Sequence, residues 1–134
     1  MISSDENGVF IGGKYDLLAL HRGLLEARFC VVANDLDVSG SPILSEIHRR
    51  LVQILRELEV KEKGTDASWE KWLEIDSTRR EWGVALTRAS TSSIWGKLPH
   101  EEKLLFVDDL LAPFIVDVGM KEAFVSEAER LRKA

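Results

Sequence analysis

The sequence predicts an all-α protein, a compact bundle of four to five helices with a short β-strand or hairpin at its N-terminus. Three observations carry this. Apolar residues recur at three- and four-residue steps over most of the chain, two Pro-led helix starts are present, and the single β-prone run, Val9-Phe10-Ile11, closes on Gly12-Gly13. A chain of 134 residues is the length of one domain, so residues 1–134 are read as a single helical domain with 1–13 as a strand or turn segment.

The first helical pattern runs from about 14 to 33, through Tyr15, Leu17, Leu18, Leu20, Leu24, Leu25, Ala27, Phe29 and Val31 or Val32. It is apolar over much of its circumference and predicts a central element. Gly23 in its interior points to a close helix crossing. Phe29 to Ala33 fits a strand as well as a helix, because a short apolar run has no distinguishing period. Asn34 to Gly40 reads as a turn-rich loop.

Ser41-Pro42 then opens the clearest helix, from 42 to about 62, with Gly64 as its stop. Ile43, Leu44, Ile47, Leu51, Ile54, Leu55 and Leu58 form its apolar stripe, with His48, Arg49, Arg50, Gln53, Arg56 and Glu57 largely opposite. Thr65 or Asp66 caps a third helix carrying Trp69, Trp72, Leu73, Ile75, Trp82, Leu86 and Ala89. Its register blurs around Asp76 to Arg80, which predicts a bend or a break. A loop follows at 89–93, tied to the core by Ile94 and Trp95. Pro99-His100-Glu101-Glu102 starts the next helix, with acids facing its N-terminal dipole. Leu104, Leu105, Val107, Leu110, Leu111, Phe114, Ile115 and Val118 give its stripe, Pro113 kinks or ends it, and Gly119 is a further break. Lys121 to Lys133 is a last amphipathic helix with basic residues at its end.

Composition excludes several classes. The net charge is −5, with 45% hydrophobic and 31% charged residues, the balance of an ordinary globular chain. The single Cys30 provides no disulfide framework, the N-terminus has acids where a signal peptide would carry bases, and the longest apolar runs are too short to cross a bilayer. The expectation is a soluble, cytoplasmic protein that does not engage a membrane. The charge is uneven: residues 1–40 and 98–134 are each −3, whereas 41–64 is +1 and 65–97 is neutral.

No chemistry-bearing constellation emerges, so no catalytic, metal-ligating or cofactor-binding residue is assigned. His21, His48 and His100 each lack a ligand-type residue four positions away, and are read as solvated. Asp35 and Asp37 do not continue into a calcium loop. Cys30 sits in an apolar run without a nearby positive charge to stabilise a thiolate. Ser90 to Ser93 has no nucleophile-elbow context, and Gly12-Gly13-Lys14 completes no phosphate loop. Asp108 and Asp109 are adjacent on a helix, about 100° apart, and cannot share a proton. The basic concentrations at His48-Arg49-Arg50 with Arg56, and at Arg79-Arg80 with Arg88, interleave with acids and read as ion-paired faces rather than a nucleic-acid surface.

The four tryptophans all fall within 69–95. They read as core residues or as anchors of a partner surface, since Trp and Arg dominate interface hot spots. Trp72, Arg79, Arg80, Trp82, Asp108 and Asp109 are the candidate partner-binding residues. Three functions fit. The first is an acidic protein acting by stoichiometric association, in the manner of an immunity or antitoxin-type inhibitor of a basic toxin, with the two acidic ends folded into one face. The second is a helical homodimer serving as a scaffold or accessory subunit. The third is a small-molecule binding or enzymatic domain using Trp, His and Arg in the helix core.

Overall fold

The computed structural model describes residues 1–30 and 36–133. It is helical, with one antiparallel hairpin at the N-terminus. Strands β1 (Ile2–Asp5) and β2 (Gly8–Ile11) pair in the register Ile2 to Ile11 and Asp5 to Gly8. Asn7 N–H donates to Asp5 Oδ1 at 2.8 Å, and Gly8 takes a positive φ of 145°. The α-amino group donates to Gly12 O at 2.8 Å and pairs with Asp16, which ties the hairpin to the helix that follows.

The helices are α1 (Lys14–Arg28), the single turn α2 (Leu36–Ser39), α3 (Pro42–Lys63), α4 (Ala67–Leu73), α5 (Arg80–Thr91), the single turn α6 (Ser93–Gly96), α7 (His100–Leu111) and α8 (Val118–Lys133). Five of these are long, matching the predicted bundle. Helix α3 has the predicted ends: Ser41 Oγ accepts from Leu44 N–H, and Gly64 closes the helix in the left-handed region. The predicted break falls between α4 and α5, where Asp76 binds Thr78 and Arg79 returns to carbonyls of Trp72 and Glu74.

Several expectations are corrected. Helix α1 stops at Arg28, and the expected continuation over 31–33 lies outside the described residues, as do Asn34 and Asp35 of the expected loop. Residues 36–39 form a helical turn where a loop was expected. Helix α1 is not apolar-buried all round, since Tyr15 is exposed while His21 and Arg28 are buried. Ile94 is exposed and Trp95 alone fixes its turn; Leu105, Ile115 and Val118 also face outward. Gly119 does not break the chain, because it lies in the first turn of α8.

Two apolar clusters form the interior. The larger joins α5, α6, α7 and α8 through Trp82, Trp95, Leu110, Phe124 and their neighbours, with Phe29 and Ile75 added from the flanks. The smaller joins α1 to α3 through Leu17, Leu51 and Leu55, bordered by Ile11 and Trp69. Arginines complete helix ends where a single local cap bond leaves further carbonyls open. Arg88 donates to Arg28 O and Cys30 O beyond α1, Arg80 to Phe29 O at 3.1 Å, and Arg132 to Ser90 O and Ser92 O at the end of α5. A guanidinium there meets both the orphan carbonyls and the negative end of the helix dipole. Among the described residues no helix is long and apolar enough to cross a membrane.

Gly23 is not a crossing point: it is exposed, and an added methyl group would meet nothing within 4 Å. The substitution Gly23→Ala is therefore expected to stabilise the fold by about 1 kcal/mol, raising the thermal midpoint by about 4 °C. A lowered midpoint in a thermal melt would contradict the open surroundings of this glycine.

Candidate functional site

The buried face of α1 carries Leu17, His21 and Arg28, at steps of four and seven that place them on one side of the helix. The facing stripe of α3 is Ser45, His48, Leu51, Val52 and Leu55, rotated from the predicted one, so that Ile43 and Ile47 are exposed. His48 is 0% exposed and His21 5%, which corrects the expectation of solvated histidines; only His100 is on the surface, beside Glu122. Spacing along one helix does not reveal this pair, because the two rings meet across helices.

The buried polar groups form one chain of hydrogen bonds. His21 Nδ1 lies 2.9 Å from His48 Nε2, and His48 Nδ1 lies 3.0 Å from Arg28 Nη1. Arg28 also donates to Ser45 Oγ at 3.1 Å and to the carbonyls of Asp109 and Ala112. Ser45 Oγ–H donates to Asp109 O at 2.7 Å. Beside it, Arg49 donates to Asp108 O at 2.7 Å and pairs with the Asp109 carboxylate at 3.3 Å. The carbonyls are those that α7 leaves open where it ends ahead of Pro113, a residue with no N–H to continue the ladder.

Arg28 is 1% exposed and bonds to no carboxylate among the described residues; its charge rests on the carbonyl end of α7. Burial lowers its pKa to about 10, helped by Arg49 and opposed by Asp109, so it stays charged at neutral pH. Burial, with Arg22 adding, pushes His21 down to about 4. Burial, with Arg28 and His21 adding, pushes His48 down to about 3. Both imidazoles are neutral at pH 7.

Outside this chain of bonds lies a cleft of about 520 Å³ between α1, α3 and α4. Trp69 and Trp72 meet the His21 ring edge-on, at centroid distances of 5.4 and 5.1 Å. Leu18, Leu25 and Leu55 supply apolar lining, and Lys14, Arg22, Glu59 and Ser68 supply polar groups. An apolar concavity with a few convergent polar groups is the usual form of a small-ligand site. Among the described residues no group of three or more His, Cys, Asp or Glu side chains could hold a metal ion.

The candidate partner-binding residues do not make one surface. Trp82 is a core residue, edge-on to Phe124 at 5.2 Å, and is not available as an anchor. Trp72 is half-buried and belongs to the cleft. Arg79 stacks on Trp72 and Phe114, with its guanidinium 4.9 and 4.2 Å from the ring centroids. Arg80 is committed to Phe29 O, Asp108 pairs with Lys121 at 3.1 Å, and Asp109 pairs with Arg49. Sequence reasoning missed His21, Arg28, Ser45 and His48. Their signal was polar side chains at the helical spacing of core positions.

The histidine pair sets a pH dependence. The unfolded chain protonates its histidines near pH 6.5, whereas the folded pair resists down to about 4 and 3. Stability is therefore complete above about pH 6.5 and falls as the pH drops below it, about ten-fold in the folding equilibrium per pH unit for each histidine. Urea titrations at about pH 7, 6 and 5 are expected to show this slope, and His48→Gln to reduce it. A flat profile across that window would show that the rings are not held neutral by burial.

Compared with known proteins, the chain matches no family model, no curated protein and no solved structure.

Proposed function

We propose that this protein binds a small ligand in the cleft between α1, α3 and α4, and acts by association. The observation that supports this reading is the concave wall of Trp69, Trp72 and His21. Aromatic walls give a planar ligand a large contact area without flexible side chains to immobilise. Arg28, Ser45 and His48 point their bonding groups at one another or at α7, so they hold the wall in place without reaching a ligand. Isothermal titration with naphthalene-based probes tests the reading. Saturable binding that weakens about ten-fold in Trp72→Ala is the expected result, the loss typical of a central aromatic contact. No heat of binding at millimolar probe, or equal binding by the variant, would overturn it.

A second reading is association with a protein partner, including the basic toxin that an immunity-type inhibitor would meet. It draws support from the hairpin, where Ile2, Val9 and Phe10 are exposed by 69, 70 and 64% beside Asp5 and Glu6. Exposed apolar residues rimmed by charge favour docking. The acidic ends give it less support, because several of their carboxylates are already paired within the chain: Asp16 with the α-amino group, Asp108 with Lys121, Asp109 with Arg49 and Glu129 with Lys103. A low-salt pull-down with the intact protein and with Val9→Ser and Phe10→Ser is expected to retain a basic protein on the former alone. Equal recovery, or none, would reject the hairpin as the docking element.

A further inference from the structure

We propose that the cleft selects a carboxylate on a planar apolar body, with one carboxylate oxygen accepting a hydrogen bond from Nε2–H of His21 and the charge met by Arg22. This rests on the reading of the cleft as a ligand site and names the ligand's chemistry.

The argument begins at Arg28. A guanidinium donates and never accepts, so the His48 nitrogen 3.0 Å from Arg28 Nη1, Nδ1, must offer a lone pair. Neutral His48 then carries its proton on Nε2. That atom is 2.9 Å from His21 Nδ1, which must accept in turn. The proton of His21 therefore sits on Nε2, the nitrogen with no hydrogen-bond partner among the described residues, on a ring that lines the cleft. One buried cation fixes two tautomers in series, and the outcome is a donor held at the cleft wall. The second nitrogen of a histidine commonly sets the first in this way.

The charges around the cleft choose among acceptors. Lys14 is paired with Glu62 at 2.7 Å, and Glu59 with Lys63 at 3.4 Å and with the Ser68 hydroxyl at 2.8 Å. Arg22 lines the cleft and pairs with no carboxylate among the described residues. A fixed N–H donor and an uncommitted guanidinium favour an anion over a neutral acceptor, and charge-assisted bonds are the stronger kind. The tryptophan pair, with centroids 5.7 Å apart and planes at 78°, suits a flat ring system behind that head group.

Two measurements test this. Imidazole nitrogen chemical shifts at neutral pH report tautomers directly, and both His21 and His48 are expected as Nε2–H forms. A proton on Nδ1 of His21 would overturn the proposal whatever the cleft binds. Calorimetric titration then compares 1-naphthoate, 1-naphthalenemethanol and 1-naphthalenemethylammonium. The naphthoate is expected to bind about ten-fold tighter than the alcohol, and the ammonium weakest. Arg22→Gln, at an exposed position, is expected to erase most of the difference between naphthoate and alcohol affinities. His48→Leu removes the donor that fixes His21 and is expected to reduce the same advantage, whereas His48→Gln, whose amide can accept from Arg28 and donate to His21, is expected to keep it. Equal binding of the three probes, or preference for the ammonium, would overturn the carboxylate while leaving the cleft as a ligand site. Failure of every probe would remove both.

Discussion

The structure depends on closing helix C-termini where the local backbone reaches only part of the last turn: the caps of α1, α4 and α5 each supply one N–H, to Leu25, Lys71 and Ala89. Among the described residues only α3 ends on a glycine in the left-handed region; α7 ends ahead of a proline, and α1, α4 and α5 end in extended or irregular chain. Carbonyls left open there are met by guanidinium groups from elsewhere in the sequence: Arg28 and Arg49 at α7, Arg80 and Arg88 after α1, Arg79 at α4 and Arg132 at α5. Leaving one such buried group unpaired costs about 1–3 kcal/mol, comparable to the loss of a good core side chain. Most of these arginines also cross from one helix to another, so the device that satisfies backbone also fixes which helices are neighbours.

The polar layer between α1, α3 and α7 follows from that constraint. Once Arg28 is placed under the end of α7, the groups around it must be acceptors or must be neutral. Ser45 and His48 meet that demand, and His48 is held uncharged first by burial and then by the Arg28 charge beside it. The ordering reaches the cleft wall because His21 is the next ring in the chain of bonds. The interior of this half of the molecule is thus a set of fixed orientations, unlike the larger cluster, where apolar side chains pack without directional demand.

Fold class and most helix limits were legible because they depend on local chemistry. Ser41, Pro42 and Gly64 act on neighbouring backbone, and the loss of register at Asp76 to Arg80 reflects a real interruption between α4 and α5. The site was not legible, since its groups meet across helices. His48 lies three residues from Ser45 and from Leu51, the spacing of a core stripe, but composition assigns an imidazole to the polar side. The arginines at 79, 80 and 88 interleave with acids, which suits ion-paired faces; Arg79 does pair with Glu81 at 3.0 Å, yet the partners of Arg80 and Arg88 are carbonyls 51 to 60 residues away. Only the tertiary arrangement distinguishes the two uses of the same residue.

The unequal size of the two apolar clusters has a consequence for how the molecule opens. The smaller cluster rests on Leu17, Leu51 and Leu55, so α1 and its hairpin have little apolar burial of their own. Beyond the packing of α1 on α3 and of Leu25 and Phe29 on the larger cluster, their attachment runs through Arg28, whose side chain reaches α7 and whose carbonyl is held by Arg88. Such a segment belongs to the low end of the local-unfolding spectrum and can detach as a unit while the larger cluster persists. Occupying the cleft would join α1 to α4 through the ligand itself. The bound molecule would then serve as a missing piece of the smaller core, and its affinity would appear as protection of α1 against local opening.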